Sequence, residues 1–290
     1  MTATVTTQFK QQFDTSLRMA AQQSDSRLMK TVTDRGMIEG NSFTINNLGS
    51  AGALDENVVR HGDTTWSEIV HAARLVYMRD YFKALPLDRA DIPKMAQNPV
   101  TGGQYMQALI AARNRRIDAI IYAAIGGSIT SVDGLTSYTL AAGQIIVNGG
   151  TGLTKAKLIQ AKALFRSNEA DEYNGEELFL LYNSIALGEI MADTTLTNAD
   201  FLAGQMLQSG NLPKGGFMGF TWVPYEGLTL ASTVYTTYAY TKSSIHFGKG
   251  FEEGDVAKRS DKKNTLQVSL AASYGAGRQD DTKVVKIDFI

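Results

Sequence analysis

The chain has 290 residues, 43% hydrophobic and 20% charged, a composition that excludes wholesale disorder and does not indicate a membrane protein. Its 28 basic and 29 acidic residues nearly cancel, which argues against tight, direct binding of nucleic acid. The absence of cysteine excludes disulfides, thiolate zinc sites and cysteine nucleophiles.

The N-terminal segment predicts a helix with one narrow apolar stripe. Phe9, Phe13 and Leu17 follow one another at intervals of four residues, with polar residues between them. A stripe this narrow cannot form a core alone, so it must lie against its own domain or against a neighbouring subunit. The segment has no apolar core of a secretion signal, so synthesis in the cytoplasm is expected.

Residues 42–83 predict two strands joined by a long excursion. Phe43 and Ile45 alternate with polar residues, a stretch rich in Gly, Ser and Ala follows, and apolar residues return at 73–82. Loops of this length inside compact domains are usually functional or disordered. We therefore expect a hairpin-like arm that lies over a neighbouring subunit.

The clearest predicted element is a long helix after Pro99. Thr101 and Gln104 have the spacing of a capping box, and Gly126 and Gly127 provide the stop. A helix between these signals is about 35 Å long. Its apolar face consists of Met106, Leu109, Ile110, Ile117, Ile120, Ile121 and Ala124.

The middle of this helix carries Arg113, Arg115, Arg116 and Asp118. One interpretation is an ordinary solvated face with charge pairs inside the chain. The other is a face of salt bridges between subunits. The sequence leaves both open.

The remaining elements mix helices and strands without the regular alternation of a doubly wound sheet, which predicts an α+β fold. Two alternating patterns near the C-terminus predict an antiparallel pair, with residues 275–281 as its turn. The other predicted elements are β structure at 138–147, a helix capped by Thr154 with Leu158, Ile159, Leu164 and Phe165 on its apolar side, a buried strand at 177–182, short helices at 185–191 and 198–206, and an aromatic strand region at 217–225.

The sequence contains no complete motif for catalysis, phosphate binding or metal binding. The glycine-rich stretch at 149–155 lacks the adjoining Gly-Lys pair of a phosphate-binding loop, and the three histidines lack the spacing of a helical metal site. The acidic group at 169–177 lacks calcium-loop order and is interpreted as a solvated loop. We predict a non-enzymatic structural protein with no catalytic, cofactor-binding or metal-binding residues.

The order of these elements resembles the major capsid proteins of tailed bacteriophages, which have the Hong Kong ninety-seven type fold. Residues 105–121 look like the spine helix of that family, residues 22–28 like its N-terminal arm, and residues 60–74 like its extended loop. Residues 152–158 are similar to a helix start in its axial domain, and residues 216–220 to a later strand. The resemblance covers nearly the whole chain.

The resemblance implies five segments. They are an N-terminal arm at 1–41, an extended loop at 42–92, a peripheral domain with the spine helix at 93–150, an axial domain at 151–245, and closing peripheral β-strands at 246–290. It also implies hexamers and pentamers that close into an icosahedral shell around double-stranded DNA, without sequence-specific contact. Phe9, Phe13, Leu17, Arg113, Arg115, Arg116 and Asp118 are the residues expected to serve self-assembly.

The implied partners are further copies of the chain, a portal and a separate scaffolding protein, with no membrane and no cofactor. A separate scaffold is expected because the arm-like stretch begins almost at Met1, where some relatives carry a fused scaffolding region. The implied location is the virion, after assembly in the host cytoplasm. Alternatives are an encapsulin-like compartment shell, a soluble ligand-binding protein whose aromatic strands hold a ligand, and a hydrolase with an unrecognised site.

Overall fold

The computed structural model describes residues 22–54, 62–63, 66–92, 103–192 and 218–290. Three α-helices lie in these ranges: α1 (Gln104–Gly126), α2 (Lys155–Ser167) and α3 (Ser184–Ala192). The strands are β1 (Thr33–Met37), β2 (Ser42–Leu48), β3 (His71–Tyr77), β4 (Arg79–Leu87), β5 (Ile129–Ser131), β6 (Ser137–Tyr138), β7 (Ile145–Ile146), β8 (Leu178–Tyr182), β9 (Thr221–Pro224), β10 (Thr229–Ala231), β11 (Val234–Thr241), β12 (Ile245–Arg259), β13 (Thr265–Arg278) and β14 (Val284–Phe289).

The chain divides into two compact units. In the described part, the smaller unit contains residues 22–25, 80–92, 103–115 and Phe251–Ala272. Its sheet has the strand order β12-β13-β4. The first half of α1 also belongs to it, and Met106 of that half lies close to Gly254 of β12. Helix α1 and strands β12 and β13 continue from this unit into the larger one.

The larger unit contains Ser26–Arg79, Arg116–Gly250 and Ser273–Ile290, of which residues 55–61, 64–65 and 193–217 lie outside the described ranges. One of its sheets has the order β7-β14-β11-β8-β9, with β10 beside β11. Helix α2 packs on β14 and β7 through Leu158, Ala161 and Phe165, which are buried. Strand β8 is buried along its whole length and pairs with β11 and β9 on its two sides.

A second sheet of the larger unit holds the predicted hairpin. Strands β2 and β3 pair antiparallel from Ser42 opposite Tyr77 to Leu48 opposite His71, which confirms the predicted pair of strands. The base of the hairpin packs into the unit, since Ile45 forms a small buried cluster with neighbouring apolar side chains. The segment that returns from the excursion, predicted as one strand, forms two strands. Strand β3 pairs with β2, whereas β4 pairs with β13 in a different sheet.

Three predictions are corrected. The two C-terminal strands are not a pair: β13 pairs with β12 and β4, whereas β14 lies between β7 and β11, and residues 275–278 continue β13. Ile159 is exposed, because the buried face of α2 follows Leu158, Ala161 and Phe165. Thr154 occupies the N-cap position of α2, but its side chain makes no capping hydrogen bond.

The long helix, the buried strand at 178–182 and the short helix at 184–192 are confirmed. Phe9, Phe13, Leu17, Thr101 and the helix predicted at 198–206 lie outside the described residues. Among the described helices, none combines the length and the apolar character that spanning a bilayer requires.

Candidate assembly site

A buried polar junction at residues 278–281 ties the hairpin to the end of α1. Arg278 is fully buried. Its Nη1 atom donates to the carbonyl oxygens of Ile125 at 2.7 Å and Gly127 at 2.8 Å, and its Nε atom donates to Asp281 at 2.5 Å. These carbonyls belong to the C-terminal end of α1, where the helix dipole favours a cation. Arg278 therefore satisfies carbonyl groups at and just after the end of the helix.

Asp281 joins this junction to the hairpin. Its two carboxylate oxygens accept from the guanidinium of Arg74 in β3 at 3.1 and 2.7 Å, which is a bidentate pair. Arg74 also donates to the carbonyl oxygen of Arg278 at 3.1 Å, and its guanidinium lies 4.4 Å from the ring centroid of Tyr138. The Asp281 carboxylate thus pairs with two buried arginines. The backbone carbonyls near the helix end also stabilise the charge of Arg278, and the Tyr138 ring also stabilises that of Arg74.

Gln279 extends the junction to the arm. Its side-chain oxygen contacts His246 Nε2 at 2.7 Å, and its amide nitrogen donates to the carbonyl oxygen of Asn46 in β2 at 3.2 Å. Arg35 of β1 donates to the other ring nitrogen, His246 Nδ1, at 3.1 Å. The junction therefore connects the spine-like helix, the hairpin and the arm strand.

The arm is also anchored directly on α1. Asp118 is fully buried, and its carboxylate accepts from the Ser26 hydroxyl at 2.5 Å and from the backbone N–H groups of Leu28 at 3.1 Å and Arg27 at 3.2 Å. One turn of chain thus closes over the carboxylate. This corrects the prediction that Asp118 belongs to a solvated or inter-subunit face.

The three arginines predicted beside Asp118 have different surroundings. Arg113 is ion-paired with Glu252 of the same chain and contacts Asn114. Arg115 and Arg116 are exposed on the helix surface. The structure therefore does not bring the four predicted charges together as one patch.

Large apolar side chains are exposed along the described part of the hairpin excursion. Leu54, Trp66 and Val70 are each at least three-quarters exposed, and Leu48 at the end of β2 is also exposed. Exposed apolar side chains in one region mark surfaces that another molecule covers. These exposed side chains are candidates for contact with another molecule.

The aromatic residues of the strand region form core instead of a ligand site. Tyr122 of α1 lies 5.3 Å, centroid to centroid, from both Tyr225 and Tyr238. Its hydroxyl donates to the Thr236 carbonyl and accepts from the Thr229 N–H. Burial raises the pKa of Tyr225 and of Tyr238 to about 12.

The acidic loop at 169–177 is occupied by ion pairs inside the chain. Arg166 pairs with Asp171 at 3.0 Å, and two further pairs link Lys162 to Glu172 and Lys283 to Glu176 at 2.5 Å each. In the ranges that the structure describes, no three His, Asp or Glu side chains gather as a metal site. The loop therefore serves packing between α2, β14 and their connections.

Sequence reasoning missed the residues that build the junction, namely Arg74, Arg278, Gln279 and Asp281. Arg74 carried a local signal, since it interrupts the apolar strand 72–76 with a charge on the side that Ile45 buries. Arg278 and Asp281 carried none, because they stood in the stretch interpreted as a turn. Lys157 was also missed: its ammonium donates to three carbonyl oxygens and is buried under β14.

Comparison with solved structures places this fold among phage shells. A chain of the cyanophage Pam1 capsid asymmetric unit matches with a TM-score of 0.72 and 12% identity, covering 100% of this chain and 98% of that chain. The capsid structure of cyanophage P-SCSP1u gives 0.70 and 15%, covering 100% and 95%, and Mycobacterium phage Ogopogo gives 0.69 and 14%, covering 100% of both chains. The chain thus has the fold of phage capsid subunits.

Sequence comparison supplies the family. The phage capsid protein family matches residues 5–290, and the chain belongs to that family. It is a structural protein of the virion, and copies of it assemble into the capsid shell. A comparison with curated protein sequences found no significant match.

Proposed function

We propose that this capsid protein forms hexamers and pentamers that close into an icosahedral head around double-stranded DNA. The observation that carries the proposal is the family match over residues 5–290. The near-zero net charge supports a shell that encloses DNA without sequence-specific contact, because such a shell needs no basic domain.

The five-segment organisation is part of the proposal. The arm at 1–41 and the extended loop at 42–92 are proposed to lie across neighbouring subunits, and residues 93–150 with 246–290 and residues 151–245 are proposed as peripheral and axial domains. The exposed Leu54, Trp66 and Val70 support the role of the loop, since contact with a neighbour would remove their apolar surface from water.

Other molecules complete the proposed assembly. A separate scaffolding protein is proposed to direct shell curvature, and a portal is proposed to occupy one vertex. Assembly takes place in the host cytoplasm, and the subunit contributes binding surfaces and no catalysis.

Electron microscopy of the purified protein tests the shell. We expect rings of five and six subunits, or closed particles, and particles from a phage lysate should protect double-stranded DNA from nuclease. A species of 31.5 kDa alone, across salt and protein concentration, would contradict assembly. Closed particles that contain enzymes and no genome would favour the encapsulin-like alternative.

A further inference from the structure

The arm strand β1 has little to hold it in place. It has five residues, four of them exposed, and it pairs parallel with β12 at the edge of its sheet. The register shifts between Asp34 and Met37, so the ladder is interrupted at Arg35 and Gly36. A short, interrupted edge strand with little burial has low local stability. Besides its backbone pairing with β12, its side-chain contacts therefore contribute to its attachment.

One of these contacts is a directed chain of hydrogen bonds through a histidine. Arg35 has only N–H donors, so His246 Nδ1 must be the acceptor in their 3.1 Å contact. The proton of a neutral ring then lies on Nε2, which donates to the Gln279 side-chain oxygen at 2.7 Å. The Gln279 amide in turn donates to the carbonyl of Asn46. The bond from Arg35 to Nδ1 requires an uncharged imidazole, whereas the donation from Nε2 to Gln279 persists when the ring is protonated.

We propose that His246 is a pH-sensitive latch, which holds strand β1 on β12 while its ring is neutral and releases the strand when the ring is protonated. Protonation converts Nδ1 into a donor, which cannot bond the Arg35 guanidinium. It also places two cations in contact at a site where only 7% of the histidine is exposed. The groups of the latch all lie in one subunit, so a test of the latch does not depend on whether the proposed shell forms.

The surrounding charges do not offset protonation. On β1 and β12, Asp34 is paired with Lys249 at 3.4 Å, and Arg35 is the charged group bonded to the ring. From the junction, Gln279 is uncharged, and the Asp281 carboxylate is bonded to the two arginines Arg74 and Arg278. In the described part of the chain, the hydrogen-bond partners of the ring are thus Arg35 and Gln279, and neither is an anion.

The direction of the effect follows from linkage. Burial lowers the pKa of His246, with Arg35 acting in the same direction and the Gln279 hydrogen bond opposing them. A released strand exposes the ring, which then regains its ordinary pKa of about 6.5. The released form therefore binds the proton more tightly, so attachment is complete above about pH 6.5 and weakens as pH falls below it, by at most about tenfold per pH unit.

Hydrogen–deuterium exchange tests the latch on the full-length protein between pH 8 and pH 5. Exchange of peptides covering residues 33–37 is corrected for the chemical pH dependence, and light scattering confirms one assembly state throughout. We expect constant protection of β1 above about pH 7 and a loss of up to about tenfold per unit below about pH 6.5. Unchanged protection across this range would overturn the proposal.

Two variants separate the latch from general acid sensitivity. His246→Asn puts an amide oxygen near the position of Nδ1, so β1 should stay attached and lose its pH dependence. The matched control His71→Asn, at an exposed histidine on β3, should keep the wild-type profile. A His246→Asn profile with the wild-type pH dependence would overturn the proposal.

If β1 of the His246→Asn variant is unprotected from exchange at every pH, a further variant tests the latch. Gln279→Glu places a carboxylate beside Nε2 in both the attached and the released form, because neither Gln279 nor His246 lies on β1. The carboxylate raises the pKa of His246 in both forms, so β1 should be released at a higher pH than in the wild type. A release midpoint that does not move to higher pH would overturn the latch.

Discussion

The fully buried carboxylate of Asp118 is a receptor for one turn of the arm. It accepts hydrogen bonds from Ser26, Arg27 and Leu28, and so replaces the water that these groups would otherwise bind. A buried charge is tolerated only when such bonds satisfy it. The arm and the helix therefore depend on each other at this residue.

Replacing Asp118 with Ala should cost about 3 kcal/mol of unfolding free energy, because the Ser26 hydroxyl and the Leu28 N–H lose their buried acceptor. Asp118→Asn keeps one acceptor oxygen and should cost less. Urea unfolding of the unassembled subunit measures both. The control Asp255→Ala, at an exposed position, should change the free energy by less than about 0.5 kcal/mol. Equal effects at the two positions would contradict the assigned role.

At the scale of elements, strand β13 shows what two glycines can do inside a strand. A Cβ atom at Gly275 would lie 2.9 Å from Met78 Sδ and 3.0 Å from the Tyr77 carbonyl, and one at Gly277 would meet the side chains of Val76 and Ile129. The glycines therefore permit the close approach of β13 to the hairpin base. In a strand, glycine marks such approaches as well as turns.

Gly277→Ala should destabilise the subunit by about 1 to 3 kcal/mol through overpacking against Val76. Adding Val76→Ala makes room for the new methyl group, so the double variant should be more stable than the sum of the single effects by at least about 0.5 kcal/mol. Thermal or urea unfolding of the four proteins of this cycle measures the coupling. Gly143→Ala is the control, because a Cβ atom there meets no neighbour within 4 Å. Additive effects of the two substitutions would show that Val76 does not restrict Gly277.

Elements that depend on local sequence could be predicted, and strand pairings between distant segments could not. Helix α1 and strand β8 follow from local periodicity and from an unbroken apolar run, and both are confirmed. The partners of β13 and β14 do not follow, because Val285 pairs with Ala239 across an antiparallel ladder that no local pattern encodes. Asp118 is a parallel case: it stands among charged residues on α1, and the segment that buries it is about ninety residues away.

At the scale of the whole molecule, exposed charge on α1 bears on assembly. Arg115 is exposed on the helix, and we propose that it contacts a neighbouring subunit. Arg115→Glu should therefore reduce the yield of assembled particles while the thermal unfolding of the subunit stays unchanged. Arg115→Lys keeps the positive charge and should assemble more fully than Arg115→Glu. Light scattering and electron microscopy measure the yield, and normal assembly of the Glu variant would remove Arg115 from the interface.

The proposed external scaffold predicts how assembly depends on a second chain. Hexamers and pentamers of one subunit differ in curvature, and identical contacts alone do not select a single shell size. Expressed alone, the protein should give irregular or polymorphic assemblies, and co-expression with the scaffolding gene of the same phage should give uniform particles. As a matched control, an unrelated protein expressed at the same level should leave the assemblies irregular. Uniform particles without any partner would contradict an external scaffold.

The mass of the mature subunit completes this test. A scaffold on a separate chain leaves the capsid protein uncut, so intact-mass spectrometry of mature particles should give a subunit near 31.5 kDa. The segment with Phe9, Phe13 and Leu17 would then remain in the shell, where we propose that its apolar stripe lies against the inner surface. A subunit that has lost about its first 40 residues would instead indicate a cleaved, fused scaffolding segment. Retention of those residues in both the precursor and the mature particles is the outcome that agrees with a separate scaffold.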